Sequence, residues 1–140
     1  KRSARLKHHP GQIAFPGGKQ DPTDATLVDA ALREAREEIG LPSGIVDVVG
    51  ALPPHQTVTG YQVTPVLSVI NGSFDPVAEL GEVSEVFETP LAHLLRPEMY
   101  RVEGRRWQGR QRHYYAVPFG PYYIWGATAR ILRGLAARMS

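Results

Sequence analysis

The segment from Gly11 to Gly40 constrains this chain more than any other. Its first half, Gly11 to Asp24, holds Gly17-Gly18 together with Pro16 and Pro22, so it is loop, with room only for a short strand at Gln12 to Phe15 that Pro16 stops. Its second half reads as a helix from Ala25 to Ile39, in which Val28, Ala31, Leu32, Ala35 and Ile39 form one apolar stripe. Thr23, Asp24 and Thr26 are the candidate N-caps, and Gly40 followed by Pro42 ends the helix. A one-sided helix has to be seated on a core. The glycine loop is therefore delivered against a fixed support.

The rest of the chain supplies that core. Val46 to Leu52 and Tyr61 to Ile70 read as strands, the second followed by an Asn71-Gly72 turn. Val83 to Glu88 is a further strand and Leu91 to Leu95 a short helix. Arg101 to Trp107 and Gln111 to Val117 pair as a hairpin across Gln108-Gly109-Arg110. Ile124 to Met139 is a second amphipathic helix, with Ile124, Ala127, Ile131, Leu135 and Met139 on its stripe. Several strands, two main helices and short connections make an α/β or α+β domain. At 140 residues, and with no repeat or linker, the expectation is one domain over 1–140.

Composition excludes several chemistries. With no cysteine, the chain has no disulfide framework, thiolate nucleophile or cysteine zinc site. Lysine plus arginine exceed aspartate plus glutamate by only two, which argues against a nucleic-acid partner. No apolar run approaches membrane-spanning length, and the opening Lys1-Arg2 lacks the pattern of a signal peptide. The expectation is a cytoplasmic protein with no membrane partner. The missing initiator Met suggests residues upstream.

The charges are unevenly distributed. Lys1, Arg2, Arg5 and Lys7 cluster at the start, six arginines fall between Arg96 and Arg112, and the acids concentrate at Glu34 to Glu38. On a helix, Glu34 and Glu38 lie one turn apart with Glu37 between them. Carboxylates so close repel and call for cations. Hard oxygen donors in this arrangement suit Mg²⁺ or Mn²⁺, and basic clusters nearby suit an anionic substrate. The plain alternative is a solvated acidic face paired with Arg33 and Arg36.

Context favours the metal site. The stretch GGKQDPTDATLVDAALREAREEIGL resembles the Nudix box, the signature of hydrolases acting on a nucleoside diphosphate linked to another group; the match covers Gly18, Arg33-Glu34-Ala35, Glu37-Glu38, Gly40 and Leu41. The family's acidic residue six positions after the glycine is here Asp24, and the loop to Arg33 is one residue longer. Upstream, Arg2-Ser3, Lys7, Gly11 and Phe15-Pro16-Gly17-Gly18 resemble the motif of the family's coenzyme A pyrophosphatases, with Lys7 in place of an arginine. Asp21-Pro22-Thr23-Asp24, TVTGYQVTP at 57–65, Glu82-Val83, Pro90-Leu91 and Ile124 to Ala129 extend the likeness over nearly all of the chain.

The resemblance implies the Nudix α/β/α sandwich, a mixed β-sheet between helices, with an apolar strand ahead of Arg2. It implies that Glu34 and Glu38 bind a divalent cation, that Glu37 joins them or orients a water, and that the Gly18 carbonyl adds an oxygen, while glycine at 17 and 18 lets the backbone approach the metal closely and adopt positive φ, with Gly17 also at the substrate. Arg33, counted with Glu37 and Glu82 in the catalytic group, is read as a clamp on the loop through a carboxylate such as Asp24, or as steering a glutamate, in preference to substrate contact. Glu82 is the candidate general base, with Glu85 and Glu79 behind it. Arg2, Arg5, Lys7 and His9 are candidate phosphate contacts, against the alternative of a solvated basic terminus. The hairpin with Trp107 and Tyr114 among its arginines either stacks adenine or is solvated, and the solvated reading is preferred. Trp125 is read as core.

The expected reaction is hydrolysis of coenzyme A or its thioesters to 3′,5′-ADP and 4′-phosphopantetheine or its acyl form. ADP-ribose, NADH or an oxidised nucleotide are the alternative substrates. A further alternative is an inactive nucleotide-binding module, against which the three glutamates argue. A homodimer is left open.

Overall fold

In the computed structural model, which describes residues 1–139, the chain forms two compact units: residues 1–11 with 15–86, and residues 12–14 with 87–139. The first begins with α1, Leu27–Ile39. Of the three candidate caps Thr26 does the work, its hydroxyl accepting from the Asp29 N–H at 3.1 Å. At the other end Gly40 takes φ 73, a left-handed conformation that glycine adopts without strain. This lets its N–H reach the Arg36 carbonyl at 3.0 Å, and the Leu41 N–H the Ala35 carbonyl at 3.3 Å. Ala30 and Ala35 are the buried residues of α1; Val28, Ala31, Leu32 and Ile39 of the expected stripe are half-buried.

A 3₁₀ turn at Ser43–Ile45 leads into β1, Val46–Ala51. β2 (His55–Gln56) and β3 (Gln62–Val63) pair as a short antiparallel ribbon, and β4, Val66–Ile70, pairs antiparallel with β1. The single strand expected over 61–70 is thus two. Pro65 divides it, since proline has no N–H for the ladder, and its carbonyl accepts from the Leu52 N–H at 2.9 Å. A bulge between Val48 and Gly50 shifts the β1–β4 register.

The strand expected at Val83 to Glu88 is reduced to an isolated antiparallel bridge between Arg2 and Val83. Its backbone is committed elsewhere: the N–H groups of Glu82 and Val83 both donate to the Glu79 carbonyl, at 3.0 and 2.7 Å, forming a tight turn.

In the second unit α2 (Leu91–Leu94) and a 3₁₀ turn (Pro97–Met99) precede the hairpin of β5, Arg101–Trp107, and β6, Arg110–Ala116. Trp107 pairs with Arg110, so the connection is two residues, Gln108 (φ 49) and Gly109 (φ 74), one shorter than expected. Two successive positive φ values give the turn whose twist matches that of the strands. Beyond it the chain stays extended, with the Val117 N–H on the Ile124 carbonyl at 2.8 Å and Trp125 bridged to Ala116. Hence α3 starts at Gly126 rather than Ile124 and runs to Met139. Its buried line is Ala129, Ile131, Leu132 and Ala136, rotated from the expected stripe, and Met139 is exposed. Alanines at the contact let the helix approach its neighbours closely, so the small residues mark the seat. Ile13, Val117, Ile124, Ala129 and Leu132 form the core of this unit.

Gln12 to Phe15 is no strand. Ile13 is buried in that core and its carbonyl accepts from the Thr128 hydroxyl at 2.9 Å, which replaces a sheet partner. The α/β class stands, but among the described residues the strands form three two-stranded antiparallel sheets instead of one mixed sheet. The segments 12–15 and 83–88, expected as strands, commit backbone groups to a side chain and to a turn instead. No helix of the described residues is long and apolar enough to cross a membrane.

Candidate metal centre

All elements of the site lie in the first unit. The helical repeat puts Glu34 and Glu38 one turn apart on α1, half-buried, and an exposed third glutamate, Glu82, joins them. One carboxylate oxygen from each lies within 4.8 Å of the others. Glu82 is carried there by the turn at 79–83, which is tied on two sides. The Glu79 N–H bonds the Glu38 carbonyl at 2.9 Å and the Val77 N–H bonds the Ile39 carbonyl at 3.0 Å, anchoring the turn to the end of α1. From the other side the N–H of buried Ser3 bonds the Glu82 carbonyl at 2.9 Å.

The glycine loop closes over the helix. A Cβ on Gly18 would stand 2.6 Å from Glu34 Oε1, so the carboxylate occupies the space that only glycine leaves open. The Gly17 N–H serves the Glu38 carboxylate. Glu38 is pushed up to about 8 from the ordinary glutamate value, first by burial, then by its hydrogen bond with Glu34 and the charges of Glu34 and Glu82; the Gly17 contact partly opposes this. Three facing carboxylates, one of them raised by burial and then by the other two, form a donor set that a hard divalent cation fits.

Arg33 is the clamp. Its Nε donates to both oxygens of Asp24 at 3.1 and 3.2 Å, Nη1 to Glu34 Oε1 and Glu37 Oε2 at 3.1 Å each, and Nη2 to Asp24 Oδ2 at 3.0 Å and the Lys19 carbonyl at 3.1 Å. Asp21 adds an ion pair at 3.5 Å. Asp24, which also accepts from the Asp21 N–H at 2.8 Å, is held below the usual carboxylate range chiefly by Arg33, while Arg33 is raised and stays charged. This network fastens the Lys19–Asp24 loop to α1 and fixes the direction of Glu34. Arg33 is thereby a positioning residue, since its N–H groups are spent on the protein.

Glu37 stands apart from the other glutamates. Four positions after Arg33, it pairs with that guanidinium at the exposed edge of the helix. Of the expected metal group the structure therefore brings together Glu34, Glu38 and Gly18, adds Glu82, and leaves Glu37 to the side. Among the expected substrate contacts, Arg2 turns inward, its Nε and Nη2 donating to the carbonyls of His9 (3.2 Å) and His8 (3.0 Å). It shapes the loop on which Lys7 and His9 are exposed, and His9 there takes φ 51. Arg5 is also exposed. Sequence reasoning missed Asp21, the Lys19 carbonyl and Ser3. Only the excess of acids in the inserted Asp-Pro-Thr-Asp pointed to the first.

Comparison with known proteins agrees with this geometry. The NUDIX domain model matches residues 1–108. Relatives named "Uncharacterized Nudix hydrolase NudL" are 43% identical over 139 residues in Enterobacter sp. (strain 638), 46% over 139 in Cronobacter sakazakii and 46% over 138 in Klebsiella pneumoniae (strain 342). Each alignment covers 99% of this chain and 72% of the relative. Two carboxylates on a box helix joined by a third from a distant turn, a glycine loop folded against them and a family match over most of the chain lead to one conclusion: the chain belongs to the Nudix family of hydrolases.

Proposed function

We propose that this Nudix hydrolase is a Mg²⁺- or Mn²⁺-dependent pyrophosphohydrolase that cleaves coenzyme A or acyl-coenzyme A to 3′,5′-ADP and (acyl-)4′-phosphopantetheine. The observation that carries the hydrolytic part is the Glu34–Glu38–Glu82 cluster closed by Gly17-Gly18. The substrate part is supported by the Arg2-Ser3…Gly11…Phe15-Pro16-Gly17-Gly18 motif, whose Ser3 is bonded directly to the Glu82 turn. The residues 1–140 are read as one catalytic domain, because the family match at 1–108 runs from the first compact unit into the second. Its setting is read as cytoplasmic and its partner as the small-molecule substrate.

Glu34 and Glu38 would hold the cation, with the Gly18 carbonyl as a further oxygen and Glu82 at the exposed edge of the cluster. When bound, a divalent cation offsets the charge of the diphosphate and acidifies water, the chemistry a phosphoanhydride needs. The protein supplies the rest. Arg33 keeps Glu34 and the loop in register, so the ligand oxygens need no reordering as the reaction proceeds. Glu37, tied to Arg33 at the exposed edge of the helix, would orient the attacking water only on leaving that pair. Glu82, the exposed member of the triad, is the candidate to take its proton as the water oxygen bonds to phosphorus and the phosphorus–oxygen–phosphorus bridge opens. Lys7 and His9 present positive charge and N–H groups to the substrate's outer phosphate.

One observation favours a second reading. Lys7 stands where the coenzyme A motif has arginine, and an ammonium gives no bidentate phosphate grip. Substrates without a 3′-phosphate, such as ADP-ribose or NADH, are therefore the alternative. Hydrolysis of coenzyme A, ADP-ribose and NADH with Mg²⁺ or Mn²⁺, followed by chromatography beside Glu38→Gln, separates them. Release of 3′,5′-ADP by the parent protein alone supports the proposal. Turnover of ADP-ribose with coenzyme A intact overturns the substrate, and no turnover at all overturns the reaction.

A further inference from the structure

The second unit carries a surface that hydrolysis does not use. β5 and β6 hold five arginines, one glutamate and no lysine. Their register sorts these residues: Arg101 opposes Ala116, Glu103 opposes Tyr114, Arg105 opposes Arg112, and Trp107 opposes Arg110. Opposed residues share a face. One side of this ribbon thus presents Arg101, Arg105, Arg110 and Arg112 with Trp107 and Tyr114, and Glu103 is its single acid.

Two features of that face run against the economy of an ordinary solvated hairpin. Arg105 and Arg112 lie directly opposite one another, an arrangement of like charges that destabilises a sheet. Among the described residues neither they nor Arg101 and Arg110 are in an ion pair, since the salt bridges gather at Arg33 and Arg96. Two of the guanidiniums nevertheless lie over rings. Arg112 lies over Trp107 at 4.9 Å and Arg105 over Trp125 at 5.2 Å, and Trp125 is held edge-on by Tyr114 at 4.9 Å. Arg112 Nε is buried with no hydrogen-bond partner. Apart from the buried Arg112 Nε, the stacked planes keep their N–H edges for an anion, and the repulsion between them is relieved when one arrives.

Spacing and chemistry select the anion. Arg110 and Arg112 stand two apart on this face, about 6.8 Å, close to the step between successive phosphates of an extended single strand, with Arg105 across the ribbon from Arg112. Arginine to the exclusion of lysine suits planar phosphate contacts and stacking against bases, whereas a lipid surface needs no planar donor. The small overall charge hides this patch because the acids gather in the other unit. A ribbon of this length serves a few nucleotides rather than a long track.

We infer that the Arg105–Arg112 face of the β5–β6 hairpin binds short single-stranded nucleic acid, separately from the hydrolytic site. The test is fluorescence anisotropy of labelled eight-nucleotide single strands with the full chain in EDTA, where the carboxylate site is idle. The parent protein should bind with affinity that falls as salt rises. Arg105→Gln/Arg112→Gln should weaken binding at least tenfold and lower the slope of log K against log salt by about 1 to 1.5, at roughly 0.7 per phosphate contact. Trp107→Leu should weaken binding several-fold and leave that slope unchanged, because stacking releases no counterions. Thermal melts and nucleotide hydrolysis act as fold controls, and exposed Arg110→Gln replaces the double variant if that one fails to fold. The inference is overturned if the parent does not bind, or if the folded variants bind as it does. It is also overturned if 3′,5′-ADP competes as well as the oligonucleotide, or if anionic phosphatidylserine vesicles bind equally well through the same arginines.

Discussion

The two long helices are close in length and both amphipathic, yet different forces hold them. α3 buries Ala129, Ile131, Leu132 and Ala136 in the core of its unit and carries arginines as its only charged residues. α1 buries two alanines and carries Asp29, Arg33, Glu34, Arg36, Glu37 and Glu38. It is kept helical by Thr26 at one end, Gly40 at the other and the Arg33 network along its side. Glu37 and Glu38 moreover stand in its last turn, where the helix dipole disfavours negative charge. A packing helix is stabilised by what it buries. α1 gives up stability to hold acids at an edge.

The largest effect expected from breaking this contrast is in activity. Glu38→Gln should lower kcat at least about 100-fold, the scale of losing a principal electrostatic group. Steady-state kinetics on whichever substrate is cleaved reads this out. Leu132→Ala should do the opposite, costing about 2–4 kcal/mol of stability by denaturant unfolding while leaving kcat intact below the melting range. If Leu132→Ala abolishes activity in the folded protein, the helices do not divide structure from chemistry in this way.

Gly18→Ala sharpens the comparison further. The new Cβ would meet Glu34 Oε1 at 2.6 Å, the movable end of a side chain, so the fold survives and the carboxylate is displaced. Divalent-cation affinity by calorimetry should fall about 10-fold or more, with a melting temperature close to the parent's. In metal-free protein, stability should also respond to pH. Glu38 lies at about 8 when folded, above its ordinary 4.5, so the folded state binds the proton more tightly than the unfolded state. The resulting destabilisation is full above pH 8 and fades as pH falls toward 4.5. Melting temperature should therefore rise on acidification through this window, and Glu38→Gln should flatten that rise. Smallest is Thr26→Ala, at about 1 kcal/mol for a lost N-cap, measured by urea unfolding.

What could be read beforehand followed the range of the interactions. Glu34 and Glu38 are set by helical repeat alone, and the Arg33–Asp24 clamp by the loop length that brings a carboxylate back to the helix. The hairpin was legible because Gln108-Gly109 is a local turn, although the register that puts Arg105 opposite Arg112 was not. Glu82 came from resemblance, since no periodicity links a turn at 79–83 to a helix ending at Ile39. The strands expected at Gln12 to Phe15 and Val83 to Glu88 failed for the same reason. Whether an apolar run becomes a strand depends on a partner far away, and here Thr128 and Glu79 claimed those backbone groups first. The stripe of α3 was misplaced because periodicity weights large residues, whereas close packing selected Ala129 and Ala136.

The bond from Ser3 to Glu82 has a consequence in time. Two of the three carboxylates are fixed as soon as one helix forms, a local event, but the third waits for its turn to reach the end of that helix, about forty residues back, and for Ser3, about eighty residues back, to close on its other side. Closing so long a loop is entropically slow compared with winding a helix. During synthesis and refolding alike, capture of a cation by the complete triad is therefore among the last properties this unit acquires. Its arrival reports that the distant ends of the unit have joined.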